Sequence, residues 1–170
     1  GRALIELLRP FQLHVVVHDP FLPEDEAAAL GVQKVSLEEL FSRSYVVSNH
    51  LPNLQELRGM LDAALFQRMR ADATFINTGR GAQVNEQDLI EVLRQRPDVT
   101  ALLDVTMPEP SEPDSPFYTL PNVRLSTHVA GSLGNEVVRM ADYALDEFQR
   151  WDKGEALQWE VTAELLEKMA

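Results

Sequence analysis

Apolar residues recur along this chain in two rhythms. In "RALIELLRPF" and in "SLGNEVVRMADYALDEFQRWDKG" they return every three or four positions, the period of an amphipathic helix; Pro10 ends the first pattern and Gly154 the second. "PEDEAAAL", stopped by Gly31, "SLEELF", "LDAALFQRMR" and "NEQDLIEVLRQR", ended by Pro97, also read as helices. Ser36 and Glu39 stand at capping-box spacing, Asp62 is a candidate N-cap, and Asn85 opens the fifth helix. Between these segments lie short β-branched runs without polar alternation, at residues 13–18, 45–49, 73–77 and 99–104, and another strand falls within "NVRLSTHVAG". Strands that are apolar nearly throughout are expected to be buried on both faces, as in a parallel sheet covered by helices. Alternating strands and helices joined by short connections predict an α/β fold, a doubly wound parallel sheet. The one irregular stretch, "MPEPSEPDSPFYTLPN", is too proline-rich for either regular element.

Composition narrows the possibilities. The chain has 170 residues, 45% hydrophobic and 25% charged, enough for one core. A formal net charge of −12 argues against nucleic acid and against anionic membrane surfaces, which select basic patches. With no cysteine there is neither a disulfide nor a thiolate metal site, and no metal is expected. No apolar run approaches the roughly 18 residues of a membrane span. No leader pattern is visible, so a soluble cytoplasmic protein is expected. Gly1 stands where an initiating Met would, which suggests that the chain continues upstream.

In open α/β sheets ligands bind beyond the carboxyl ends of the strands. Just past the predicted strands stand Asp19, then His50-Leu51-Pro52, then Asn77-Thr78-Gly79-Arg80, then Asp104 with Glu109 five residues on, then His128. Each has an ordinary reading when taken singly. Asp19 before Pro20 forms turns, Arg80 between two glycines fits a surface turn, Glu109 fits a solvated loop, and a lone His128 fits a structural contact. His14 and His18 are read as structural. Together, an acid, a base and a cation that clamps anions make a working set.

Three ordered motifs then carry a resemblance over essentially the whole chain. "NTGRG" followed by a helix, "LDVTMPEP" and "LPNVRLSTHVAGS" resemble the arginine, Asp-Val…Glu-Pro and histidine motifs of the D-isomer-specific 2-hydroxyacid dehydrogenases. Gly1-Arg2 resembles the third glycine and following arginine of that family's Gly-x-Gly-x-x-Gly loop. The resemblance implies a Rossmann-like dinucleotide-binding domain over residues 1–154, lacking its first strand and a separate substrate domain. It also implies a C-terminal segment, 155–170, that returns toward that substrate domain.

The resemblance further implies an oxidoreductase that transfers a hydride between NAD and a D-2-hydroxy acid or 2-keto acid. His128 is the implied general acid/base and Glu109 its partner, a carboxylate that favours the imidazolium and fixes the ring tautomer. Arg80 is the implied clamp on the substrate carboxylate, held by two parallel hydrogen bonds. The flanking glycines are expected to let the backbone approach substrate and cofactor. Asp19 is the implied acceptor for the ribose hydroxyls and disfavours the extra phosphate of NADP. Gly1, Pro52, Thr78, Gly79, Arg80, Asp104, His128 and Gly131 are implied along the cofactor. A homodimer is the implied assembly. Leu57, Ser126, Thr127 and the Thr106-Met107 pair depart from the usual pattern without removing a catalytic group. Two further readings stay open: a dinucleotide-responsive corepressor-like binding protein of the same fold, and a cofactor-binding fragment inactive by itself. The Glu109–His128 pairing argues against the related formate dehydrogenases, whose histidine has a different partner.

Overall fold

The computed structural model of the protein describes residues 1–166. In chain order it contains helix α1 (Arg2–Leu8), strand β1 (Val16–Val17), α2 (Glu24–Leu30), β2 (Gln33–Lys34), α3 (Leu37–Arg43), β3 (Val46–Asn49), α4 (Ala63–Phe66), β4 (Thr74–Asn77), α5 (Glu86–Gln95), β5 (Thr100–Leu103), β6 (Val123–Leu125), α6 (Asn135–Asp152) and α7 (Ala163–Leu166). The last part of the expected returning segment, residues 167–170, lies outside the described residues.

All pairings between named strands are parallel. The four strands β3 to β6 lie side by side in chain order, with Asn49, Asn77, Leu103 and Leu125 in register at their carboxyl ends. A second, two-stranded sheet pairs β1 with β2. Two expectations change here. The strand expected at residues 13–18 is paired only at Val16–Val17, and its partner, Gln33–Lys34, is too short and too polar to show a strand pattern. The larger sheet is also not buried on both faces. Burial alternates along each strand: Val47, Phe75, Ala101, Leu103 and Val123 are buried, whereas Thr74, Ile76, Thr100 and Leu102 are half-buried and Val46 and Arg124 are exposed. The physical reason is that α3, α4 and α5 bury one face, and among the described residues no helix buries the other.

The covered face carries the core. Phe41 of α3, Phe66 of α4 and Phe75 of β4 are at most 1% exposed. The Phe66 and Phe75 rings meet edge-on at 5.0 Å, and Phe41 meets Phe66 edge-on at 5.7 Å. Each such pair adds about 0.5–1.5 kcal/mol to simple burial. Helix α5 contributes Leu89, Ile90, Val92 and Leu93 to the same cluster. It starts where Asn85 accepts a hydrogen bond from the Asp88 N–H, and Asp88 in turn accepts one from the Ala63 N–H at the start of α4. Asp62 accepts from Leu65 N–H as expected, yet α4 ends after one turn. The Ser36–Glu39 capping box is formed on both sides. Gly31 closes α2 in the left-handed region, at φ 71°. Helix α6 has no buried residue, and Val137, Val138, Met140, Phe148 and Trp151 all remain more than half exposed.

One buried charge ties the end of β5 to the chain beyond β6. Asp104 is 6% exposed; it accepts from Ser126 Oγ at 2.5 Å and from the N–H groups of Val129 at 2.8 Å and Ala130 at 2.9 Å. Burial, the largest single influence, opposes its charge. The three hydrogen bonds, helped by nearby His128, outweigh it, and the Asp104 carboxyl is held below its ordinary value. A carboxyl depressed on folding adds stability above its unfolded pKa, about 3.9, and loses it as pH falls through the folded value. Asp104→Asn turns one acceptor into a donor facing a donor, so the variant should lose about 1–3 kcal/mol at neutral pH. In urea titrations the gap from the parent protein should narrow below about pH 4. A gap that stays constant into strong acid contradicts this account.

Candidate active site at the carboxyl ends of the strands

Because β3 to β6 end in register, the segments that follow them share one rim. Leu51 and Pro52 follow β3, Thr78 to Arg80 follow β4, Asp104 to Glu109 follow β5, and His128 follows β6. Of the expected strand-end segments, four follow strands of this one sheet, whereas Asp19 follows β1 in the smaller sheet.

Arg80 lies on a turn whose backbone is anything but loose. Gly79 is buried, and its N–H donates to Asn77 Oδ1 at 3.1 Å. Asn77 Nδ2 donates to the Arg80 carbonyl at 3.2 Å, and the Arg80 N–H donates to Gln83 Oε1 at 3.3 Å. The flanking glycines were expected to admit ligand; what they admit is the protein itself. A Cβ on Gly81 would lie 2.1 Å from the Thr106 carbonyl carbon, and one on Gly79 would lie 2.9 Å from both Asn49 Nδ2 and Gln83 Oε1. The Arg80 side chain stays exposed, with Nη1 donating to the Gly79 carbonyl at 2.7 Å. Among the described residues it makes no ion pair.

The close approach at Gly81 seats the Arg80 turn on the segment that carries Glu109. A second contact reinforces it: Glu86 Oε1, in the first turn of α5, accepts from the Met107 N–H at 2.6 Å. Burial raises the Glu86 carboxyl above its ordinary value, and the Met107 hydrogen bond partly offsets this. Thr106 Oγ1 donates to the Pro108 carbonyl at 2.8 Å and turns the chain toward Glu109.

Glu109 Oε1 then lies 2.6 Å from His128 Nδ1, both side chains about 40% exposed. This contact favours the tautomer in which Nδ1–H donates to Glu109, and among the described residues Nε2 has no hydrogen-bond partner. His128 itself holds φ at +59°, a region that side chains seldom occupy. The two N–H groups that follow it are those bound by Asp104, so the carboxylate holds the strained histidine turn in place.

The remaining expected positions divide. Thr78 and Asp104 line a cavity of about 290 Å³ together with Ile76, Leu102, Ser126 and Ala130. Asp104 was expected to line the cofactor, but its oxygens are engaged by the histidine turn. Asp19, two residues beyond β1, is exposed and accepts from the Phe21 N–H at 2.9 Å, the turn-forming role open to any Asp before Pro. Pro52 is half-buried, with its carbonyl bound by Gln83. Gly1 precedes α1 and Gly131 follows the histidine turn, both exposed with open space where a Cβ would stand. No close approach explains Gly131. His14 and His18 stay at the smaller sheet, with a His18 ring nitrogen 3.2 Å from the Val35 carbonyl. The sequence reading placed Asn77 at a strand end without a role and overlooked Asn49, Gln83 and Glu86. The available signal was a polar residue at the inward end of an apolar strand, in "VVSN" and "TFIN".

Comparison with known proteins identifies the family and fold. The family model for the D-isomer specific 2-hydroxyacid dehydrogenase, NAD binding domain, matches residues 1–130. A Bacillus subtilis protein, YoaD, provisionally named as a 2-hydroxyacid dehydrogenase, is 37% identical over 133 residues, 78% of this chain and 38% of that protein. Glyoxylate reductase of Korarchaeum cryptofilum is 32% identical over 155 residues, 91% of this chain and 47% of that one. The crystal structure of apo D-mandelate dehydrogenase from Rhodotorula graminis superposes with a TM-score of 0.82 at 25% identity, covering 95% of this chain and 48% of that one. This chain thus spans less than half the length of those relatives. It belongs to the D-isomer specific 2-hydroxyacid dehydrogenase family, and the family's NAD-binding domain is the part it matches.

Proposed function

We propose that the protein carrying this chain reduces a 2-keto acid to the D-2-hydroxy acid, or catalyses the reverse reaction, with Arg80, Glu109 and His128 as its working groups. The observation that carries this reading is the 2.6 Å contact between Glu109 and His128, with Arg80 exposed beyond a neighbouring strand of the same sheet. Since the chain spans under half the length of the curated relatives it matches, the activity is proposed for a larger protein that includes a substrate domain. Among the described residues, β1 and β3 each pair with a strand on one side only.

The residues present suit a dinucleotide. Gly1 leaves space at the start of α1, Asp19 is exposed beyond β1, and Pro52, Thr78 and His128 follow three strand ends in turn. When bound, NAD supplies the hydride chemistry. The rest falls to side chains. Arg80 holds the substrate carboxylate through a planar two-point grip and orients the keto carbon. His128, with Nδ1 committed to Glu109, exchanges a proton with the substrate oxygen through Nε2. Glu109 offsets the positive charge of the ring while that proton is held.

Three outcomes test this reading. In the full-length protein, His128→Ala should lower kcat by about 10²–10⁴-fold, because the proton donor is lost. Arg80→Lys should lower kcat/KM by about 10–100-fold, since one ammonium cannot reproduce the fork. Steady-state kinetics with a small 2-keto acid measures both, and near-parental rates in either variant would rule out the assigned role. The carboxylate of Asp19 should favour NADH over NADPH; a reversed ratio of kcat/KM values would remove it from the cofactor site. A homodimer is proposed alongside, and light scattering that returns a monomer mass would contradict it.

A further inference from the structure

Three amide side chains lie in the interior beneath the candidate site. Asn49 is 5% exposed, Asn77 1% and Gln83 1%. Buried amides destabilise a fold unless their hydrogen bonds are made, and apolar residues would fill the same space without that demand. Asn49 Nδ2 donates to Asn77 Oδ1 at 3.0 Å and to Gln83 Oε1 at 2.6 Å, and Asn49 Oδ1 accepts from the Leu51 N–H at 3.1 Å. Gln83 Nε2 donates to the carbonyls of Leu51 at 2.9 Å and Pro52 at 2.6 Å, while its Oε1 also accepts from the Arg80 N–H. The amide orientations follow from the network. Reversing Gln83 would set its NH₂ against two other donors and its oxygen against two carbonyls.

One side chain therefore spans two turns. Its oxygen end holds the backbone of Arg80 and its nitrogen end holds the Leu51–Pro52 turn, with Asn49 joining both. We propose that Asn49 and Gln83 are positioning residues that couple the Arg80 turn to the Leu51–Pro52 turn, setting the distance between the groove for the substrate carboxylate and the cofactor side of the site. The proposal rests on the substrate role given to Arg80. It also accounts for glycine at position 79, where a methyl group would wedge between Asn49 Nδ2 and Gln83 Oε1.

The test uses the full-length protein with three variants: Gln83→Leu, Gly79→Ala, and the double variant Asn49→Leu with Gln83→Leu. Amide hydrogen exchange reads the coupling without reference to any activity. In Gln83→Leu the Arg80 amide loses its acceptor and should exchange about tenfold faster. The Leu51 amide should also accelerate, although its own acceptor, Asn49, is untouched. Acceleration at Arg80 with none at Leu51 would overturn the coupling. Kinetically, Gln83→Leu and Gly79→Ala should raise KM for both the keto acid and NADH by about tenfold, with a smaller change in kcat. The double variant separates positioning from packing. In it the Leu51 N–H also loses Asn49, while the Arg80 N–H and the Leu51 and Pro52 carbonyls still lack Gln83, so the thermal midpoint should fall below that of Gln83→Leu and both KM values should stay raised. Parental KM values in a stable double variant would show that the network only fills space, and would overturn the proposal. If Arg80→Lys leaves KM for the keto acid unchanged, the role of Arg80 fails, and the exchange result still judges the coupling by itself.

Discussion

Between Gly81 and Thr106 there is no room for a single carbon atom. A Cβ at position 81 would lie 2.1 Å from the Thr106 carbonyl carbon and 2.2 Å from its oxygen. These are backbone atoms at the mouth of the parallel sheet, so a larger residue at 81 forces the two chain segments apart. Much of the candidate site hangs on that contact. One segment presents Arg80 and runs on into α5. The other leads through Thr106 and Pro108 to Glu109, which lies against His128. The contact is reinforced by Glu86 on the Met107 N–H, and the far side of the assembly is anchored by Asp104 beneath the histidine turn. The candidate site is held by one close backbone approach and by buried or half-buried carboxylates bound to backbone N–H groups, with three charged or titratable side chains at its surface.

That arrangement answers why a cation sits between two glycines at a strand end. The reading from sequence took the glycines as flexible backbone that a ligand could approach. They are instead the two points where the protein packs against itself, and neither has positive φ. Rigidity suits an anion clamp, since a guanidinium gives a two-point grip only if its base is held still.

How much of this was legible in the sequence follows from the physics of each element. Helix α5 was readable because Asn85, the acidic first turn, the apolar face and Pro97 all agree. The capping box at Ser36 and Glu39 was readable for the same reason: it is a local interaction between near neighbours. The short β2 was not, since two polar residues carry no period and pair only through tertiary contact with β1. The proposed trio of Arg80, Glu109 and His128 was singled out through motif order, whereas the Asn49–Asn77–Gln83 network was not, because its partners are 28 and 34 residues apart. The apolar strands suggested burial on both faces, but only one face is covered among the described residues. The opposite face, with Ile76 and Leu102 half-buried, and the exposed apolar side of α6 carry residue types that usually meet other protein.

The central claim is that one rim brings together a carboxylate clamp and an acid/base histidine whose other nitrogen is already committed. The most direct measurement is a crystal structure of the full-length protein with NADH and oxamate, an unreactive mimic of a 2-keto acid. The account predicts the oxamate carboxylate on the Arg80 guanidinium, its carbonyl oxygen within hydrogen-bond reach of His128 Nε2, and Glu109 still on Nδ1. An oxamate carboxylate bound away from Arg80, or a His128 ring turned off Glu109, would contradict it.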